Sequence, residues 1–183
     1  LRRIHWPSSA KRDDLLIRQL ETPWQQRALL FFDTRQGAYQ SGACFEHAVR
    51  GMASVVSHFR RGGYEALIWA GGVDPIPVLH YGAVMEQLAT LRPETRLDLR
   101  AVASRIRQQG GGGALVLVTG TPDPVLADIS RLLGRDYGTA VILCATETTS
   151  PTVTALHRGG TATIESAPGG SWTQAWMRKG AWS

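Results

Sequence analysis

Asp33 ends the apolar run Ala28-Leu29-Leu30-Phe31-Phe32 and opens the polar turn Thr34-Arg35-Gln36-Gly37. Five apolar residues in a row leave no polar face, so the run reads as a strand buried on both sides. Such a strand belongs to a parallel sheet, and its carboxyl end opens onto the crevice where α/β folds place their ligands. A second apolar run, Ala114 to Val118, leads in the same way to Thr119, Gly120 and Asp123. Set in such a crevice, Asp33 could serve as the general base of a hydrolytic enzyme or hold a small ligand.

Other patterns of reactive residues fail on their spacing. Asp33-Thr34-Arg35 lacks the second carboxylate that a phosphotransfer aspartate pair supplies. The glycines 110–113 precede a strand, whereas a phosphate-cradling loop follows a strand and opens a helix, so they read as a connector. Ser, His and Asp occur without any Gly-x-Ser-x-Gly context. His5 beside Trp6 reads as packing of an arm, and Trp172, Trp176 and Trp182 as cover for a sheet. Cys44 and Cys144 read as two buried thiols rather than a disulfide or metal framework, which suits a reducing compartment.

The elements that must position Asp33 follow from periodicity. Residues 1–27 form an arm in which Leu15-Leu16-Ile17-Arg18-Gln19-Leu20 could be an edge strand or pack on the main domain, and Thr22-Pro23 ends it. The domain proper covers 28–183. Ser41 or Gly42 starts a helix with Phe45, Ala48, Val49, Met52, Val55, Val56 and Phe59 on one stripe. Its outer face carries Glu46, His47, Arg50 and Arg61, so His47 and His58 are expected at the surface, and Gly62-Gly63 stops it. Glu65 to Ala70 is a strand, paired in a hairpin with Ile76 to Leu79, where Pro77 is tolerable only on an edge.

Helices follow at 81–91 and after Thr95-Arg96-Leu97-Asp98, a capping-box variant. Asp123-Pro124 caps a helix burying Val125, Leu126, Ile129, Leu132 and Leu133. Thr139 to Ala145 and Thr161 to Glu165 read as strands, with a helix over 151–158 between them and a last helix after Ser171. Alternation at this spacing predicts a three-layer α/β fold around a mostly parallel sheet of about six strands with one antiparallel edge.

With 183 residues, 43% hydrophobic and 19% charged, the composition is that of an ordinary globular domain. No stretch approaches the roughly 18 apolar residues of a membrane span, and no signal peptide is visible. The chain begins at Leu1 without an initiator Met, so it reads as a fragment whose anchoring segments could lie upstream. Of the net charge of +5, much comes from Arg2, Arg3, Lys11, Arg12, Arg18 and Arg27. Asp13, Asp14 and Glu21 interrupt that run and no aromatic-interleaved basic motif accompanies it. It therefore reads as a solvated or partner-facing surface, and no nucleic acid is expected. Binding of nucleic acid or anionic lipid by these residues would weaken steeply with salt.

Arg2-x-Ile4-x-Trp6, Ser9-Ala10-Lys11-Arg12, Leu15-x-Ile17-Arg18 and the strand ending in Asp33 together resemble the signature of the domain-of-unknown-function 58 family. The likeness covers nearly the whole chain and is most specific over residues 2–33. It implies a von Willebrand factor type A-like, Rossmann-like fold with strand order 3-2-1-4-5-6. It also implies a bacterial, cytoplasmic protein that works with a MoxR-type AAA+ ATPase or another protein partner. Full-length members of that family often carry a membrane hairpin upstream of this region. No activity is attached to the family, so the resemblance implies no catalytic residues and no cofactor.

Type A domains often hold a divalent cation in a metal-ion-dependent adhesion site, built from Asp-x-Ser-x-Ser after the first strand with a Thr and an Asp from later loops. Such a site offers Mg²⁺ hard oxygen ligands. Here Asp33 stands at the first acid, Arg35 and Gly37 replace the two serines, and Gly120 replaces the later acid. No threonine occurs near Tyr81-Gly82, where the second loop is expected. A guanidinium cannot ligate a metal and stays protonated. Arg35 is therefore expected to pair with Asp33 and replace the ion, giving a degenerate, metal-free site. Residual metal binding would use Asp33, Thr34, Thr119 and Asp123. The expected role is a non-catalytic protein-protein interaction domain, with Asp33, Thr34, Arg35, Gly37, Thr119, Gly120 and Asp123 forming the partner-binding surface. Changing Arg35 to Glu is expected to abolish partner capture and leave the fold intact.

Overall fold

The computed structural model describes residues 27–148, 150–158 and 161–179. The arm with its possible strand at 15–20, the family-like positions before Arg27, and Trp182 lie outside these residues. The described chain runs β1 (Arg27–Phe32), a 3₁₀ turn (Gln36–Ala38), α1 (Gly42–Arg61), β2 (Glu65–Ala70), β3 (Ile76–Pro77), α2 (Tyr81–Thr90) and α3 (Leu99–Gln108). It continues through β4 (Ala114–Thr119), α4 (Pro124–Gly134), β5 (Thr139–Ala145), α5 (Pro151–Arg158), β6 (Ala162–Ser166) and α6 (Trp172–Lys179).

The six strands form one sheet in the order β3-β2-β1-β4-β5-β6. Every pairing is parallel except β2 with β3, as the Pro77 edge predicts. Because neighbouring side chains on a strand point to opposite faces, β1 feeds two cores. Ala28, Leu30 and Phe32 join Phe45, Met52 and Val56 of α1, Val84 and Leu88 of α2 and Ala175 of α6. Leu29 and Phe31 join Val102 and Ile106 of α3, Leu126 and Leu133 of α4 and Val153 of α5. Among the described residues, three helices thus cover each face. A leucine as fully buried as Leu30 contributes about 1.5–3 kcal/mol of transfer free energy, so β1 anchors both layers.

The helix after β1 packs on one face and the helix after β4 on the other. These strands are neighbours, so the chain departs in opposite directions between their carboxyl ends. That is the switch point where an open α/β sheet forms its crevice.

Three local expectations change. His47 is buried at 3% exposure rather than placed at the surface. Its Nε2 lies 2.9 Å from Ser166 Oγ, its ring stacks on Trp172 at 4.8 Å, and the Trp172 indole N–H donates to the His47 carbonyl at 3.0 Å. A Cβ on Gly51 would lie 2.8 Å from the Trp172 ring, so a glycine in mid-helix lets α6 approach α1 closely and cover His47. Second, Asp98 alone caps α3, accepting from Arg100 N–H and Ala101 N–H. Third, Val125 and Leu132 are 38% and 40% exposed, and Ala127 and Ser130 fill the buried face of α4 instead.

Candidate functional site

Asp33 begins where β1 ends, with its N–H donated to the Val118 carbonyl of β4. Its side chain is fully buried and its carboxylate accepts four hydrogen bonds. Oδ1 receives the Arg35 backbone N–H at 3.1 Å and Arg35 Nε at 3.0 Å. Oδ2 receives Arg35 Nη2 at 2.9 Å and Thr119 Oγ1 at 2.9 Å. A carboxylate has about four lone-pair sites, so every one is occupied. The two-pronged Arg–carboxylate contact is the strongest geometry available to such a pair.

The same guanidinium reaches across the switch point to Asp123 Oδ2 through Nη1, at 2.6 Å. The other Asp123 oxygen accepts the Leu126 N–H at 2.8 Å and caps α4. One cation is thereby held between two acids from adjacent strand ends. Burial disfavours the charge on Arg35, but the hydrogen bonds and charges of Asp33 and Asp123 outweigh it and raise its pKa. Burial pushes Asp123 up, and the Arg35 and Leu126 hydrogen bonds override that to hold its carboxyl below the usual range.

The turn carrying Arg35 is fixed from several sides. Tyr39 donates its hydroxyl to the Asp33 carbonyl, and its ring stands edge-on to Phe45 at 5.0 Å. Burial and the nearby Asp33 raise the Tyr39 pKa well above its ordinary value, so it remains a neutral donor. The Ala38 carbonyl accepts the Thr121 N–H at 2.7 Å. At Gly120 a Cβ would lie 2.1 Å from that carbonyl. Gly120 is therefore a close-packing position, where the turn lies directly on the loop after β4.

Thr34 belongs to a different contact. Its hydroxyl donates to Glu94 Oε1 at 2.6 Å, and residues 34–36 exchange backbone hydrogen bonds with Glu94. The segment between α2 and α3 is thus strapped against the turn. Beside them Gln40 accepts the Glu147 N–H at 2.9 Å and donates to Thr148 Oγ1 at 2.8 Å, joining the turn to the loop after β5.

Of the seven residues predicted from the sequence, Asp33, Arg35, Thr119 and Asp123 form one hydrogen-bonded cluster. Gly120 underlies it, and Gly37 lies on the exposed tip with open space where a side chain would go. Asp33, Thr34, Thr119 and Gly120 are buried, while Arg35, Gly37 and Asp123 reach the surface. Tyr39 and Glu94 were not anticipated. Tyr39 carried a faint signal as an aromatic at the end of a polar turn, whereas Glu94 is 60 positions from Thr34 and carried none.

The donor set does not fit a resident divalent cation, because Asp33 has no lone pair left and a guanidinium already bridges the two acids. Changing Arg35 to Glu would remove the donor from a buried carboxylate and add a third acid. Fold stability is therefore expected to fall with it, so this change does not isolate partner capture. The chain matches no protein-family model and no curated protein, so the geometry of this closed cluster has to speak for its function.

Proposed function

We propose that this is a non-catalytic protein-protein interaction domain whose switch-point crevice is a degenerate metal-ion-dependent adhesion site. The observation that carries the reading is the position of the Arg35 guanidinium, bridging Asp33 and Asp123 with the Asp33 carboxylate saturated. A general base needs an accessible lone pair within hydrogen-bond reach of a substrate proton, and Asp33 offers none. The fixed turn at 36–40, with the loops at 120–123 and 146–148, supplies a rigid and largely polar surface of the kind on which partner contacts are made.

The resemblance to the domain-of-unknown-function 58 family, with its type A-like fold, makes a MoxR-type AAA+ ATPase the first partner to test, in an assembly or chaperone-like task. Purified chain would be titrated against such an ATPase in its ATP-bound and ADP-bound states. The expected result is saturable binding that weakens at least tenfold in Gly37→Arg, whose melting temperature stays unchanged because the position is open. Absence of binding in both nucleotide states, or binding indifferent to Gly37→Arg, would count against this partner and this surface.

A further inference from the structure

Because β1, β2, β4 and β5 run the same way, the segments that enter them gather at the amino end of the sheet. These segments carry Arg27, Arg60, Arg61, Arg107 and Arg135, all exposed. The acids among them, Glu65 and Asp136, are already engaged, Glu65 with Arg27 at 3.4 Å and Asp136 with Arg107 at 3.0 Å. Arg60 lies over the Tyr81 ring at 4.3 Å. Among the described residues Arg60, Arg61 and Arg135 have no acidic partner, so this end keeps uncompensated positive charge. The antiparallel β3 delivers Leu79 to the same end. Leu79 is 86% exposed and Tyr64 is 36% exposed. Arg27, Arg60, Tyr64 and Leu79 line one cavity there, so charge and exposed apolar side chains share a face.

We infer that this end of the domain docks on an anionic lipid surface, its arginines on the headgroups and Leu79 and Tyr64 in the layer beneath. A guanidinium stays charged at every physiological pH and meets phosphate oxygens in a planar, two-pronged geometry. Near an anionic leaflet each such side chain strengthens binding about fivefold. An exposed leucine adds to this only where the charged surface has an apolar layer under it, and tyrosine rings favour that same depth. Nucleic acid presents phosphates without an apolar layer for Leu79, so lipid matches the whole face and nucleic acid only its charge. Lipid at the amino end leaves the carboxyl ends of the strands, and the Arg35 crevice, facing away from it. The inference does not rest on the reading of that crevice.

The test is cosedimentation of the full chain with phosphatidylglycerol–phosphatidylcholine vesicles and with vesicles of phosphatidylcholine alone. Saturable binding is expected to the anionic vesicles only, and it should weaken as salt is raised. Arg61→Gln combined with Arg135→Gln should weaken it about 25-fold. Leu79→Asn should weaken it about tenfold, the worth of roughly two buried methylenes. These side chains are exposed, so melting temperatures should move by less than about 1–2 °C and lost binding reports the surface. Equal binding to both kinds of vesicle, or to neither, would overturn the inference. So would binding unchanged by the two arginine substitutions, which would assign it to the basic residues before Arg27. Oligonucleotide binding that falls with those substitutions, beside vesicle binding indifferent to Leu79→Asn, would assign the face to nucleic acid instead.

Discussion

At the carboxyl ends of β1 and β4 the sheet is finished with charge: Asp33, Arg35, Thr119 and Asp123 satisfy one another, and the turn above them rests on Gly120. At the amino ends of β1 and β2 an open cavity stands beside the exposed Leu79, with apolar residues in its lining and the exposed Arg27–Glu65 pair at its edge. The same strands make both ends, so the difference lies in the loops. A polar cluster can close a crevice only if each buried group finds a partner, which fixes geometry to tenths of an ångström. Apolar contact is non-directional and makes no such demand. The polar end should therefore respond sharply to single atoms, and the cavity end to area.

The largest expected effect is that of Arg35→Met. It leaves the buried Asp33 carboxylate without its cation, and removing one member of a buried pair costs about 3–5 kcal/mol. Denaturant unfolding should show that loss, and Asp33→Asn in the same chain should recover much of it, because the uncompensated charge is then gone. If Arg35→Met melts like the parent, the cluster is not what holds the turn.

Gly120→Ala comes next. Its methyl would meet the Ala38 carbonyl at 2.1 Å, and overpacking of that kind costs about 1–3 kcal/mol. Gly37→Ala, on the same turn but facing open space, should stay within about 0.5 kcal/mol of the parent. Equal melting temperatures for the two would mean the turn does not rest on the loop after β4.

Smaller effects appear with pH. The Asp123 carboxyl titrates below its unfolded range because Arg35 and the Leu126 N–H favour its charged form. Its contribution is complete above the unfolded carboxylate pKa and is lost as pH falls through the lower folded value. Asp123→Asn should flatten that acid limb of a pH–stability curve. His47 is also held below its ordinary 6.5, by burial and by Arg50. Neutral His47 therefore favours the fold, and stability should begin to fall as pH drops below about 6.5. His47→Gln should remove that limb, and an unchanged curve would contradict the buried neutral imidazole.

The strands, their layers and the antiparallel edge were legible in the sequence because the signals were local and redundant, whereas the order of the strands entered only as what the family resemblance implied. Apolar runs, the Asp123-Pro124 cap and the edge Pro77 each point to one arrangement. The Asp33–Arg35 pair was legible because two residues apart on one turn must lie near each other. Glu94 was not, since its contact with Thr34 is made by tertiary folding alone. His47 misled because helical periodicity sees one packing face, while α6 returns to cover a second side of α1. The role of Gly120 was equally hidden: a missing acid and a close backbone approach look identical in one dimension.

The most direct measurement is thermal unfolding of the unaltered chain across a titration of Mg²⁺ or Mn²⁺ into the millimolar range. A ligand at 100 times its dissociation constant adds about 2.7 kcal/mol, several degrees for a domain of this size. With the Arg35 guanidinium already between Asp33 and Asp123, no saturable shift is expected. A saturable rise in melting temperature, abolished by Asp33→Asn, would mean that a cation displaces the guanidinium and would contradict the metal-free site.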